Sequence, residues 1–291
     1  MNVLSTRWEL RGVSAVALAA GLFFVAPAPA SAHRLEKHFA VEAHPIVTVH
    51  NPNGTITIRA WNKPEVVVIA NHSSDKVEVD AEQLGNRIEL LTHTLSDSIG
   101  PDDLHADYQV TVPEDAELEI HNDAGTVDVG QVLGDMAVET VGAGVNLSDA
   151  AGYLTVKTVD GSFQCMRCAG RIEVTSISGN VQLLQVRSYN IRAQTSKGNI
   201  LFDGEFLPNG VYRLRNYSGV IEVRFSPGDS FDLSATSLKG KVNNQAVLTP
   251  HSHTPGQKPK FGSSLLGTFN QGRAKVELSS FDGTINVHRR D

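Results

Sequence analysis

Residues 118–129 read LEIHNDAGTVDV, residues 154–165 read LTVKTVDGSFQC and residues 172–183 read IEVTSISGNVQL. One rule covers all three: apolar, any, apolar, any, a small polar residue, any two, glycine, then any, apolar, any, apolar. Each alternation is a short strand that sends every second residue to one side. The glycine falls in the turn between the two strands, where a positive φ or a tight bend suits it. Units begin at Leu118, Met136, Leu154, Ile172, Tyr189, Tyr212 and Phe231, with spacings of 18, 18, 18, 17, 23 and 19 residues. A period near 18 that carries two strands per unit is the signature of a β-solenoid.

The turn glycines are Gly125, Gly161, Gly179, Gly198, Gly219 and Gly240, and the Met136 unit has Ala143 there instead, between Gly142 and Gly144. A second set, Gly134, Gly152 and Gly170, precedes the first apolar position by two and suits the opposite turn. Inward positions should form one core, with Val127, Val138, Val156, Val174, Leu183, Leu214 and Val223 among its members. Outward positions should form columns, and one of these reads Asp128, Asn146, Gln164, Gln182, Leu201, Glu222 and Asn243. Amides stacked in this way hydrogen-bond along the stack. Seven rungs at about 4.8 Å make a rod section of roughly 34 Å.

Working outward, the motif first occurs alone at residues 47–58 (VTVHNPNGTITI), with Asn51 in the small polar slot and Gly54 in the turn. Four alternating segments follow, at residues 66–70, 77–81, 88–91 and 108–112, separated by turn-rich NHSSD, LGNR and DSIGPDD. They predict an antiparallel N-terminal cap over residues 33–112 that covers the first rung, because an open solenoid end exposes an unpaired strand edge. Nothing is periodic in residues 33–43. Regular rungs then fill residues 113–244. Residues 245–275, rich in Pro, Gly, Ser and His, read as a loop insertion. The motif returns at residues 276–287 (VELSSFDGTINV), which should close the C-terminal end of the stack. The fold expected is all-β: one flattened parallel β-solenoid domain over residues 33–291.

The chain has 291 residues, 41% hydrophobic and 20% charged, an ordinary globular composition. Arg7 and Arg11 precede an apolar run, and the segment APAPASA ends at Ala32, so residues 1–32 read as a secretory signal. Removing them takes away Arg7, Glu9 and Arg11 and leaves a formal charge of −8 from 23 basic and 31 acidic residues. Such a chain is not a general nucleic-acid binder. No later segment has the length and apolarity of a membrane span. The mature protein is expected to be exported, to the periplasm or to the cell surface and beyond, and not to be an integral membrane protein.

The opening VHNPNGTITIRAW, the YQVTVPEDAELEI junction, the repeated units and the closing GRAKVELSSFDGTINV resemble the bacterial secreted β-solenoid family known as "putative adhesins". The likeness runs from about His44 to Val287. It implies surface attachment and supplies no catalytic residue to carry over; no cofactor is expected.

Candidate chemistry is sparse. Cys165 and Cys168 are the only cysteines. In an oxidising compartment they are a disulfide candidate, yet Cys165 falls on an inward position, where a free cysteine packs as a small hydrophobe. His251 and His253 lie in the polar insertion and read as loop, so no metal site is expected. Calcium rolls carry GGxGxD, which is missing here. A polysaccharide-cleaving β-helix would need carboxylates converging on one groove, whereas the outward acids Glu119, Asp128, Glu139, Glu173, Glu222 and Asp232 scatter over several columns. The fourth position of successive rungs reads His121, Glu139, Lys157, Thr175, Arg192, Arg215 and Ser234, with Arg213 two residues before Arg215 on the same outward face. Stacked like charges are unfavourable unless an anion lies between them. Asp232 is expected to neutralise Arg213. Arg192, Arg213 and Arg215 are therefore the candidate binding residues, for an anionic glycan, an envelope lipid head group or an acidic protein partner. The expected role is a non-catalytic adhesin-like or structural envelope protein, and the competing one is a carbohydrate-active β-helix enzyme.

Overall fold

The computed structural model describes residues 33–96, 100–250 and 262–290. The proposed signal and the His251–His253 pair lie outside them. Regular structure in the described residues is β throughout, apart from one 3-10 turn at Pro101–Leu104. First strands stack in parallel on first strands, from Val47 through Leu118, Met136, Leu154 and Ile172. Second strands stack on second strands, from Ile56 through Val127, Val145, Phe163, Val181, Ile200 and Ile221. The core lies between these two walls. All seven inward residues named above are buried in it.

The small polar slot has a clear physical role. Thr158, Ser176, Thr195, Ser280 and Ser237 are buried, and each hydroxyl accepts the backbone N–H of the glycine three residues on, at 2.8–3.0 Å. That bond closes the turn and satisfies a donor that would otherwise be orphaned inside the stack. The glycines answer to stacking more than to φ. A Cβ on Gly125, Gly179 or Gly198 would run into the carbonyl oxygen of the turn glycine one rung below, and of these only Gly125 has positive φ.

Two units are phased differently from the expectation. Opposite Gly170 and Arg171, a bulge pairs Ser188 and Asn190 and skips Tyr189, which stands exposed. The inward pair of that rung is Ile191 and Ala193, in line with Ile172 and Val174. Likewise Leu233, not Phe231, aligns with Val276. An apolar residue two places early extends the alternation without breaking it, so alternation alone does not set the phase. The constant seven residues from first apolar position to glycine do, as from Ile191 to Gly198 and from Leu233 to Gly240.

The last rung does not close the stack. Strand Ala274–Ser280 pairs with Val211–Asn216 on one side and with Phe231–Ser237 on the other, parallel to both, and Thr284–Arg289 likewise lies between Val220–Phe225 and Val242–Asn244. The glycine column agrees, since a Cβ on Gly283 would meet the Gly219 carbonyl and one on Gly240 the Gly283 carbonyl. The end is closed from within the supposed loop by Ser263–Phe269, antiparallel to Phe231–Ser237. Insertion buries both edges of the final rung and leaves an antiparallel strand at the open end, where Phe225, Phe231 and Phe269 pack ring to ring. Asn286 thereby enters the polar column between Glu222 and Asn243, and Asn243 Nδ2 donates to Asn286 Oδ1 at 2.9 Å.

The N-terminal cap is only partly antiparallel. Arg87–Thr94 and Ala106–Pro113 lie parallel to the two halves of Ile46–Trp61 and form one more rung. Antiparallel strands cover it, Val77–Leu84 on Arg87–Thr94 and Glu65–His72 on Ala106–Pro113. His33–Ala40, aperiodic in sequence, pairs antiparallel with Glu65–His72. It is a largely exposed edge strand, so no buried face imposes alternation on it.

Candidate functional site

The rephased rungs redraw the arginine face. Arg192 pairs in register with Arg213, and Arg215 with Gln194, so Arg192 and Arg215 do not share a column. The column of Arg192 continues to Glu173 on one side and, through Arg213, to Glu277 on the other. Arg213 Nε donates to Glu277 Oε2 at 2.9 Å, so Glu277 is its partner. Asp232 instead faces Lys275 across the ladder and accepts the Thr268 hydroxyl at 2.7 Å. Hydrogen bonds from Lys275 first and then Arg213 hold the Glu277 carboxyl below the usual carboxylate range, against the effect of burial. At the other end Arg171, then the Tyr153 hydroxyl, does the same for Glu173. Glu205 belongs to Arg187, at 3.2 Å.

Arg192 and Arg215 form no hydrogen bond or ion pair among the described residues. With Arg213, Ala193 and Gln194 they line a cavity of about 130 Å³. The inserted final rung adds a second, larger cavity of about 550 Å³ that shares Gln194 and Arg215 with the first. One wall belongs to the residue that follows each slot. These residues form an exposed ridge, Val141, Val159, Ile177, Tyr217 and Leu238, with Ser196 between Ile177 and Tyr217 and Phe281 between Tyr217 and Leu238. Tyr217 and Phe281 stack at 4.6 Å with planes 10° apart, and the Lys239 ammonium sits over the Phe281 ring, 4.7 Å from its centroid. In the floor lies Asn216, which holds the slot where neighbouring rungs have Thr195 and Ser280. It is 7% exposed, and neither its Nδ2 nor its Oδ1 has a hydrogen-bond partner among the described residues. Asn51 and Asn122, the other slot asparagines, each donate from Nδ2 to a backbone carbonyl. A buried unpaired polar group costs about 1–3 kcal/mol, so Asn216 is a poor structural choice at its position.

Reading residues singly did not reveal this cavity. NYSG and SFDG look alike as turns, but Phe281 reaches Tyr217 only because the final rung inserts beside it. An aromatic residue directly after the slot in two units was the available signal.

Cys165 and Cys168 are disulfide-bonded, with Cα atoms 6.0 Å apart, and both are buried. Of the six outward acids named from the sequence, only Glu222 meets a second carboxylate, that of Asp203. Glu119 pairs with Arg87, Asp128 with Arg59, Glu139 with Lys157 and Glu173 with Arg171. Asp203 and Glu222 come together in a cage with Arg224, Arg290 and His288. Burial pushes Glu222 up, but the Arg224 and His288 hydrogen bonds outweigh it and hold the carboxyl below its ordinary value. Among the described residues no group of His, Cys, Asp and Glu has metal-binding geometry, and no helix is long and apolar enough to cross a membrane.

Among curated proteins none matches the sequence. Solved structures do. A "putative cell adhesion protein" from Clostridium sporogenes is 12% identical, over 89% of this chain and 100% of its own, with a TM-score of 0.25. "Putative adhesins" from Bacteroides fragilis and Parabacteroides merdae are 10% and 7% identical over 89% of this chain and 97% and 96% of theirs, with TM-scores of 0.37 and 0.35. Residues 46–288, from the first rung to the inserted last one, match the family model. The chain belongs to the Toastrack DUF4097 family.

Proposed function

We propose that this protein is an exported, non-catalytic, adhesin-like binding protein of the cell envelope, and that the Arg192–Arg213–Arg215 face docks an anionic ligand there. The observation that carries this reading is the pair of guanidiniums, Arg192 and Arg215, that make no hydrogen bond or ion pair among the described residues and lie one rung and one column step apart beside a cavity, with Arg192 only within electrostatic reach of Glu173. Arg59, Arg87, Arg167, Arg171, Arg187, Arg213, Arg224 and Arg290 each meet a carboxylate. Planar guanidiniums suit carboxylate or phosphate oxygens, which they bind through two parallel N–H bonds. An anion between Arg192 and Arg213 would also relieve the repulsion of two like charges in direct register. The signal-like residues 1–32 support export, and the neutralised acids argue against an acid–base pair for glycoside cleavage. Retention of the mature chain on washed cell-envelope material at low salt tests the reading. The parent should be retained, and R192S/R215S should pass through. Equal retention of the two removes the site, and release of new reducing ends from bound polysaccharide would favour the enzymatic alternative.

A further inference from the structure

We infer that the larger cavity is a saccharide subsite that takes one carboxylated pyranose, stacked on Tyr217 with its carboxylate on Arg215. The inference rests on the anion-binding reading above and deepens it to a ligand class. Three observations meet here. Tyr217 is 55% exposed, and Phe281 covers one face of its ring. The other face looks toward Ser196, the only residue of the ridge between Val141 and Leu238 that is small. The next ridge side chain, Ile177, is two rungs away, about 10 Å. That leaves room for one ring against the open face of Tyr217. The C–H face of a pyranose fits such an aromatic surface, whereas a phosphate group gains nothing from it.

Next, the polar groups around that space are uncommitted. The side chains of Gln194, Ser196 and Arg215 make no hydrogen bond among the described residues, and Asn216 has neither amide atom paired. Its amide breaks no bond when it turns to meet a sugar hydroxyl. Lastly, Asn216 stands where Thr195 and Ser280 close their turns through their own hydroxyls. A threonine there would meet the needs of the fold and offer no amide to a ligand. The site thus combines an aromatic face, a donor–acceptor amide and a guanidinium, the set that a uronic-acid residue presents in complement.

The test uses the mature chain, trigalacturonate and its methyl ester, with binding read by calorimetry and melting read alongside. The parent should bind the acid at least tenfold more tightly than the ester. N216T should melt at the same temperature as the parent or higher, yet bind the acid about tenfold more weakly. Y217A, altered on an exposed side chain, should also lose about tenfold. If both variants bind as the parent does, or the parent does not distinguish acid from ester, the subsite is wrong. Should trigalacturonate fail to bind while envelope retention persists and still depends on Arg192 and Arg215, this inference falls and the broader reading stands. Loss of both overturns both.

Discussion

Where the slot before a turn glycine holds serine or threonine, as at Ser237, the hydroxyl can act in two directions. It accepts the glycine N–H three residues on, and in Ser237 it also donates to the Gly283 carbonyl of the next rung, at 2.7 Å. Ser176→Ala would leave the Gly179 N–H buried without its acceptor at 2.8 Å. Chemical denaturation should register a loss of about 1–3 kcal/mol. A loss below about 0.3 kcal/mol would mean that the turn closes without the hydroxyl. The slot and its glycine were legible in sequence because both recur at fixed spacing. Their reasons were less so. The glycines were expected to serve a positive φ or a tight bend, and most of them also make way for the carbonyl of the neighbouring rung, which no single rung displays. Asn216 illustrates the same limit, since asparagine looks like any other small polar residue until its buried amide is seen to lack a partner.

At the scale of the rung, alternation carried the inside and outside assignment but not the phase. Tyr189 and Phe231 each lengthen an alternation by one step, and the slip placed Arg192 opposite Arg215 when it lies opposite Arg213. Sequential order also misplaced the last rung, because a parallel strand fits beside any other strand of the same period. A cross-link tests the insertion. Arg213 and Glu277 are paired in register, within disulfide reach on adjacent parallel strands at about 4.8 Å. R213C/E277C should oxidise to an intramolecular disulfide, and R213C/S234C should not. The opposite pattern would restore sequential stacking.

Acid–base pairs along a strand, as Arg171–Glu173 and Lys275–Glu277, and between rungs, as Lys157–Glu139, have a pH signature. Arg87 holds Glu119 below the ordinary value of 4.5, Lys157 does so for Glu139, Arg171 for Glu173 and Lys275 for Glu277. A carboxyl depressed in the folded state binds fewer protons there than in the unfolded chain, so its contribution is complete above about pH 4.5 and is lost as pH falls through the folded value. Asp229 works the other way, since burial raises it. With Glu36, Asp103, Asp149 and Glu222 also depressed, eight lowered carboxyls against one raised predict a melting temperature that is level from pH 7 to about 5 and falls below about 4.5. A melting temperature that rises on acidification to pH 4 would contradict these assignments. The pairs are largely solvent-exposed, so added salt should flatten the curve.

For the whole molecule, the architecture was legible and the boundary conditions were not. A period of 18 residues and two alternations per period specify a parallel β-solenoid. How each end is closed depends on segments with no period of their own, His33–Ala40 and Ser263–Phe269, whose partners lie on other strands. The proposed binding face follows the same pattern. Arg192, Arg213 and Arg215 could be picked from sequence as outward charges, whereas the cavity beside them is assembled from four rungs, one of which comes from the end of the chain. A chain with formal charge −7 that binds an anion must do so through local contacts, because its net field repels the ligand. The most direct measurement is therefore the affinity of the mature protein for anionic envelope polysaccharide as a function of salt, for the parent and for R192S/R215S, with melting temperatures measured in parallel. The account predicts that the parent binds at low salt and weakens as salt is added, and that the double variant binds at least tenfold more weakly at low salt while melting no lower. A double variant that matches the parent at low salt would contradict it.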